Sequence, residues 1–447
     1  MHRKMKQIVI AFLLAALMMI SSACAMLKFP GAANSPDAGE DLESFTILLV
    51  GAEMNLEASY EKIVRAFEKE RDVKFNIIVC ESSQEQAEQL EEMTLDGKMP
   101  DVILMNAYSR IDYRNLAMDG ALLNLEPYMQ SSAEFEYGDY YAPLLDAGYF
   151  FEGQYVMPIA FQLPLIVTSH ERLARHELEF SGKNGREVVE YLTNFIDENR
   201  DEDFVKMQFS RINSNNIAFM HAALGLNMID YETLDVLYDP ADFEVLANLT
   251  KKQREDMLEK LPATARPNDI WRQHIEVTQA SALRFEITGG HLGGMCWMEA
   301  MYGELSESMS IGCLPTATST DEYAGLITAF AVVSAETKAP NIALSLLQYM
   351  TENPVMNHIT SPSIVNKKTM DSFMEIPMIF EGSTLSGELK DDFRKILDNM
   401  ICGIIVDMGP VNTLVSESFA PYFDNQKEFE DCMKSFEENI SSYQESF

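Results

Sequence analysis

Apolar and polar positions set two rhythms along the first third of the chain. Phe45-Thr46-Ile47-Leu48-Leu49-Val50 is a short apolar run closed by Gly51, the pattern of a strand buried on both faces. Tyr60, Ile63, Val64 and Phe67 then recur at i, i+3, i+4 and i+7 among charges, which predicts an amphipathic helix. A second β-rich run covers Val73 to Val79. Another helical stretch around Ala87, Leu90 and Met93 is stopped by Gly97 and Pro100, and Val102 to Met105 reads as a third strand. Leu116 to Leu123 begins more helix. Such strand–helix alternation predicts an α/β architecture with a parallel sheet covered on both faces.

The rest of the chain keeps this theme with more helix. Val188, Val189, Leu192, Phe195 and Ile196 mark one helix, and Leu326 to Val333 is an apolar strand. Pro340 opens a helix with Ala343, Leu347 and Met350 on one face. Near the C-terminus, Leu389, Phe393, Ile396 and Met400 form one stripe, and Phe429, Met433, Phe436, Ile440 and Tyr443 form another. No sequence repeat or low-complexity tract interrupts the pattern.

The N-terminus follows a different logic. Arg3, Lys4 and Lys6 precede an unbroken apolar run from Ile8 to Ile20, followed by Ser21-Ser22-Ala23-Cys24. A basic start, a short apolar core and small residues before the cut are the parts of a secretory signal; the run is shorter than the about 20 residues a membrane-spanning helix needs. Small residues directly before Cys24 resemble the lipobox of bacterial lipoproteins, which implies residues 1–23 as signal peptide and a lipid on Cys24. The alternative is cleavage near Ala23 or Ala25 with release of the chain. Pro30, Gly31, Pro36 and Gly39 fall in a stretch almost without large apolar groups, so residues 24–41 read as a flexible tether.

Composition narrows the function classes. About 400 residues remain for the folded body, enough for two or three domains, and a hydrophobic fraction of 47% is that of a globular protein. A formal net charge of -36 repels phosphate backbones and argues against nucleic-acid binding. Besides Cys24 there are Cys80, Cys296, Cys313, Cys402 and Cys432, none in a C-x-x-C pair. The expectation is buried apolar thiols and no structural metal, since a chain with a large core needs no disulfide staples.

The order of motifs resembles the extracellular solute-binding proteins of ABC importers, in the carbohydrate-binding group that includes maltose-binding protein. The helix Ile63-Val64-Arg65-Ala66-Phe67-Glu68-Lys69-Glu70 leads to Val73-Lys74-Phe75, and Leu95-Asp96-Gly97-Lys98-Met99-Pro100-Asp101-Val102-Ile103 is similar to that family's Gly-x-x-Pro-Asp step. Leu116 to Leu125 with Pro127-Tyr128 is similar to its helix-to-loop passage. Tyr155-Val156-Met157-Pro158-Ile159-Ala160 resembles the crossing between lobes, followed by a strand at Leu165–Ser169, with Leu163 as an earlier start. Gly290-His291-Leu292-Gly293-Gly294-Met295, ahead of Trp297, resembles the return strand. Pro315, then Ala324 to Met350, are similar to the late strand and helix of the first lobe.

The resemblance implies a two-lobed periplasmic-binding-protein-like fold of type II, with hinge-linked lobes and a cleft between them. It places residues 42–157 plus 297–355 in the first lobe and 158–296 plus 356–447 in the second, with crossings near Met157–Ala160, Met295–Trp297 and Pro354. It implies a lipid-anchored monomer on the outer face of the cell membrane that binds a small solute, a sugar or oligosaccharide foremost, and delivers it to an importer permease without a cofactor. The other readings are a receptor for a phosphorylated or peptidic solute, a sensory or adhesive lipoprotein, and an extracellular hydrolase.

Ligands of open α/β sheets sit beyond the carboxyl ends of strands. That rule nominates Glu53 and Asn55 after the first strand and Asn106, Tyr108 and Arg110 after the third. Asn55 and Asn106 equally suit helix caps. Gln162, just past the crossing, and Trp297, Glu299 and Tyr302 are the candidates from the far lobe, Trp297 being equally suited to a core. Only two tryptophans, Trp271 and Trp297, are present, few for a stacking sugar site. Enzyme motifs fail on inspection. His170-Glu171-Arg172-Leu173 is followed by Ala174 where a zinc protease needs histidine. Asp197 to Asp201 imitates a calcium loop, but Glu202 stands where Gly is needed and Gln208 where the bidentate Glu belongs. No Gly-x-Ser-x-Gly elbow occurs, so no catalysis is expected.

Overall fold

The computed structural model describes residues 45–51, 57–199, 204–209, 216–230, 233, 235–260, 281–286, 292–353, 363–375, 385–406 and 410–444. The signal segment, Cys24, the tether, Glu53, Asn55 and the expected crossing near Pro354 lie outside these residues.

The first sheet begins with β1 (Thr46–Val50), β2 (Asn76–Cys80) and β3 (Val102–Asn106). Its β1 residues Ile47, Leu48 and Leu49 are buried essentially completely, because helices α1 (Glu57–Arg71) and α2 (Ser83–Leu95) separate successive strands. Helix α1 buries Ile63, Val64 and Phe67, and Lys69 and Arg71 in its last turn complement the negative end of the helix dipole. Ser82 caps α2 by accepting from the Glu85 amide. Within α2, buried Gln86 donates to the Leu104 carbonyl on β3 at 2.8 Å. The Pro-Asp step has a structural role: Asp101 accepts from the Thr46 amide at 2.8 Å and from the Thr337 hydroxyl at 2.6 Å, fastening the start of β1.

Helix α3 (Tyr113–Met118) is shorter than the expected Leu116–Leu123 helix. Gly120 at φ +73 turns the chain, a conformation glycine adopts without strain, and Leu122 instead bridges Ser334. The small helices α4 (Glu126–Ser131) and α5 (Ala142–Asp146) and the hairpin of β4 (Tyr149–Phe150) and β5 (Gly153–Gln154) lead into β6 (Met157–Gln162).

After Gln162 the chain leaves the first sheet. β7 (Leu165–Ser169) belongs to a four-stranded sheet of order β10-β7-β9-β8, completed by β8 (Val205–Phe209), β9 (Ser281–Glu286) and β10 (Met309–Cys313). Between these strands lie helices α6 (His170–Arg175), α7 (Gly185–Glu198), α8 (Asn216–Ala223), α9 (Pro240–Lys260) and α10 (Leu292–Glu304). Helix α7 starts with a capping box of Asn184 and Glu187 and buries all five of its expected apolar residues.

The chain returns through Leu314–Glu322 to β11 (Tyr323–Val333). The two passages are tied together, since the Leu314 amide donates to the Pro164 carbonyl at 2.8 Å. β11 pairs antiparallel with β3 and β6 through its second half, and parallel with β13 (Met400–Ile405) through its first. Helix α11 (Pro340–Glu352), β12 (Ser363–Ile364) and helices α12 (Lys367–Glu375) and α13 (Gly387–Asp398) intervene, and α14 (Pro410–Phe423) and α15 (Phe429–Gln444) close the chain. The first sheet has the order β12-β6-β11-β3-β1-β2, with β13 joined to β11.

Three expectations are corrected. The glycine-rich stretch read as a return strand near Met295–Trp297 is helical within its described part, α10, with Met295, Met298, Met301 and Tyr302 buried at helical spacing; the actual return passage follows β10. β10, expected with the first lobe, pairs with β7 in the second sheet. β12 and β13, expected with the second lobe, pair with β6 and β11 in the first. Long-range pairing decides these memberships, and local apolar pattern does not encode it.

Candidate functional site

β1 is parallel to β2 and β3, and β11 is antiparallel to both β3 and β6. β6 therefore runs in the same direction as β3, and the carboxyl ends of β1, β2, β3 and β6 share one edge. Gly51 leaves β1 at this edge, its amide donating to the Cys80 carbonyl at 2.7 Å. Any Cβ there would stand 2.3 Å from Val79 Cγ1.

Ala329 on β11 is the register partner of both Asn106 and Ala160. Asn106 and Gln162, two residues beyond Ala160, consequently flank β11 at the same edge, both half-buried. Asn106 Oδ1 accepts from the Tyr108 amide at 2.8 Å, so this side chain folds the loop after β3. Tyr108 packs half-buried against an apolar cluster that draws residues from both sheets, and Arg110 is exposed.

The candidates on α10 are placed differently. The backbone of Trp297 is helical, and its side chain lies outside the described residues. Glu299 accepts from the Ser386 amide at 3.1 and 3.2 Å and so holds the start of α13. Tyr302 is completely buried, and burial pushes its phenol up to about 12. The Arg172 guanidinium lies 5.0 Å over its ring. Arg172 follows the carboxyl end of β7, and its Nε binds Glu307 at 2.7 Å. Tyr302 belongs to the large apolar core that also holds Met298 of α10, Leu165 and Val167 of β7 and Ile311 of β10.

A small recess of ≈ 30 Å³, with room for water-sized occupants, lies beside the edge, lined by Arg114, Ala218, Ala222, Asn227, Ile404 and Val411 among others. Val406, also in its wall, donates to the Ile327 carbonyl, and Ala107 donates to Thr328 next to it. The recess therefore adjoins the loop after β3. Arg114 comes from α3 in the first lobe. Ala218 and Ala222 come from α8, whose Phe219, Met220 and Ala223 belong to an apolar cluster that holds Met207 and Leu283 of the second sheet and Leu326 and Ile404 of the first.

Arg114 is buried. Its Nε lies 3.6 Å from Asp112 Oδ1, and its guanidinium sits 5.0 Å over the Tyr113 ring. Asp112 also accepts from the Asn115 amide at 3.3 Å and, through Oδ2, from the Tyr443 hydroxyl on α15 at 3.3 Å. Asn227 contributes a side-chain oxygen that is shielded from solvent and has no hydrogen-bond partner among the described residues. Neither Arg114 nor Asn227 is recognisable in the sequence: one is a lone cation in a short helix, the other a loop amide.

On α8, buried His221 faces the Phe243 ring at 5.6 Å. Burial pushes its pKa down to about 4, against the opposing pull of Asp242 and of a hydrogen bond to the Leu226 backbone. Among the described residues, no group of three His, Cys, Asp or Glu side chains could hold a metal ion, and no helix is long and apolar enough to cross a membrane.

No curated protein sequence matches the chain. Residues 52–266 match the sequence model described as bacterial extracellular solute-binding protein. Among solved structures, an ABC substrate-binding protein from Listeria monocytogenes in complex with cycloalternan is similar at TM-score 0.57 and 15% identity, covering 90% of this chain and 98% of its own. A family 1 extracellular solute-binding protein from Alicyclobacillus acidocaldarius gives TM-score 0.60 at 13% identity, again over 90% and 98%. An ABC transporter solute-binding protein from Thermotoga lettingae, bound with α-D-tagatose, gives 0.57 at 11% identity over 89% and 98%. These likenesses establish the two-lobed binding-protein fold. The sequence match over residues 52–266 and these likenesses agree that the chain resembles the bacterial extracellular solute-binding proteins and shares their two-lobed fold.

Proposed function

We propose that this protein captures a sugar or oligosaccharide in the cleft at the first sheet's carboxyl edge and delivers it to the permease of an ABC importer. In this reading a lipid on Cys24 holds it outside the cell as a monomer, and it binds its solute without turning it over. The first lobe comprises the sheet built on β1, β2, β3, β6, β11 and β12, and the second the sheet built on β7 to β10.

The observation that carries the reading is the placement of Asn106 and Gln162 on either side of β11, where the chain passes between lobes. Half-buried amides there can both donate to and accept from solute hydroxyls, and Tyr108 offers an aromatic surface beside them. Glu53 and Asn55 follow β1 in the chain and Arg110 follows β3, and we count them with this site. A solute that touches both lobes favours the closed arrangement only through its tighter binding to that arrangement.

The test is thermal melting of the purified protein against a panel of mono- and oligosaccharides, since a solute that binds only the folded chain raises its stability by mass action. A hit whose affinity falls in Gln162→Ala and Asn106→Ala supports the reading. A panel of sugars without effect, beside an amino acid or peptide that raises the melting temperature, would overturn it.

A further inference from the structure

We infer that the ribbon formed by β13 and the first half of β11 is a fixed joint between the lobes, which stays packed on both faces while the cleft opens and closes. The joint serves the capture of any solute, whatever its chemistry.

Residues of the ribbon alternate between two neighbours. Tyr323 to Ile327 of β11 pairs with Met400 to Ile405 of β13. Ala324, Leu326, Ile404 and Val406 are buried and share an apolar cluster with Met220 and Ala223 of α8 in the second lobe. The positions between them turn the other way, toward α5 in the first lobe. A Cβ on Gly325 would stand 2.5 Å from Leu144 Cδ2, and one on Gly403 would stand 2.7 Å from the Pro143 carbonyl oxygen. Glycine at these two positions lets the ribbon lie directly on α5. Each strand therefore shows one face to each lobe, the period-two alternation of a strand covered on both sides.

The chain on either side of the ribbon is fastened to the second lobe. In the return passage, the Ala317 amide donates to the Leu224 carbonyl just past α8, and the Gly185 amide at the start of α7 donates to the Thr316 carbonyl, each at 2.9 Å. Helix α13, which leads into β13, is held to α10 by the bond from the Ser386 amide to Glu299. Lifting α8 off the ribbon would expose apolar side chains that are covered from both sides. Close-packed contacts of this kind keep their arrangement while small exposed segments take up the motion. Thr318, Thr320, Asp321 and Glu322, exposed in the return passage beside the ribbon, are placed to absorb a rotation about it.

Cys402 supplies a test from within the chain. It packs with the same cluster as α8. A Cβ on Gly225, directly after that helix, would stand 3.2 Å from the Cys402 sulfur. Disulfide geometry sets about 3 Å between a Cβ and the far sulfur. Gly225→Cys should therefore form a 225–402 disulfide with oxidised glutathione in the ligand-free protein, identified by peptide mass. Its oxidised and reduced forms should bind maltotriose with affinities within about threefold of each other. Hydrogen exchange in the wild type reads the same contact without any solute. The amides of Ala317 and Gly185 should exchange within about tenfold of the rate of the β1 amides, through the same global unfolding. Faster exchange than that would refute the joint. So would a disulfide that fails to form in a folded Gly225→Cys, or one that weakens maltotriose binding more than about threefold and is reversed by reductant. Gly225 sits at φ +74, so Gly225→Ser reports the strain of a side chain there; where Gly225→Cys does not fold, exchange in the wild type decides alone. Failure of maltotriose to bind any of these proteins would count against the sugar reading, and exchange would still decide the joint.

Discussion

His221 offers a sharp test of how α8 is packed. Its ring is buried 3% exposed in the helix whose alanines line the recess, with Asp242, Asp239 and Arg186 as its charged neighbours. Desolvation lowers its pKa from 6.5 to about 4, so the folded chain holds the ring neutral where the unfolded chain protonates it. The unfolded state then binds the extra proton, and stability must fall as pH falls. The contribution is fully present above pH 6.5, declines between 6.5 and about 4, and is lost below. One pKa unit corresponds to about 1.4 kcal/mol. The loss attributable to His221 between pH 7 and pH 5 is therefore about 2 kcal/mol, rising to about 3 kcal/mol near pH 4. Carboxylates elsewhere also titrate in this range, so the measurement is a difference. Denaturant unfolding is followed at pH 7 and pH 5 for the wild type and for His221→Gln. The wild type should lose about 2 kcal/mol more than the variant over that interval. Parallel losses in the two proteins would show that His221 is protonated in the folded state at pH 5, and would refute the packing argument.

Further outcomes follow from single contacts. Tyr443→Phe removes the hydroxyl that joins α15 to Asp112; stopped-flow release should show a few-fold faster solute dissociation with about 1 kcal/mol or less of lost stability, and an unchanged release rate would refute a role for that contact in closure. Gly185→Ala should lower the melting temperature by a cost of about 1–3 kcal/mol, since the new Cβ would lie 2.2 Å from the Pro315 carbonyl on the return passage; unchanged melting would show that the passage yields. Cys80, Cys313 and Cys432 are buried, and burial raises their thiols above the ordinary range; Ellman's reagent should reach them only after denaturation. Cys24→Ala should move the protein from the membrane fraction to the medium or leave an uncleaved precursor, and unchanged fractionation would contradict the lipid anchor.

The legible parts of the fold are those whose environment is uniform along the element. β1 and β3 are covered on both faces and read as unbroken apolar runs, while α7 and α13 carry one apolar face each and read as stripes. β8 and β9 escaped the reading because they contain charges. Lys206 on β8 is completely buried, with its ammonium 3.1 Å from Asp256 and its backbone amide 2.8 Å from the same carboxylate. Arg284 on β9 is also buried. A strand whose charged residues are neutralised by partners far along the chain looks like surface until the partners are known. The site divides in the same way. Asn106 and Gln162 follow directly from strand ends, a local rule. Tyr302 is buried in the core, and an aromatic near a passage looks the same in sequence whether it faces solute or core. Arg114 and Asn227 line one recess only through tertiary packing, which no spacing in the chain encodes.

Solute-driven closure is the central claim, and small-angle scattering measures it most directly. A sugar that raises the melting temperature should also reduce the radius of gyration of the wild type at saturation, and should do so less completely at the same concentration in Gln162→Ala. A sugar that binds at saturation and leaves the scattering profile of the wild type unchanged would contradict the account.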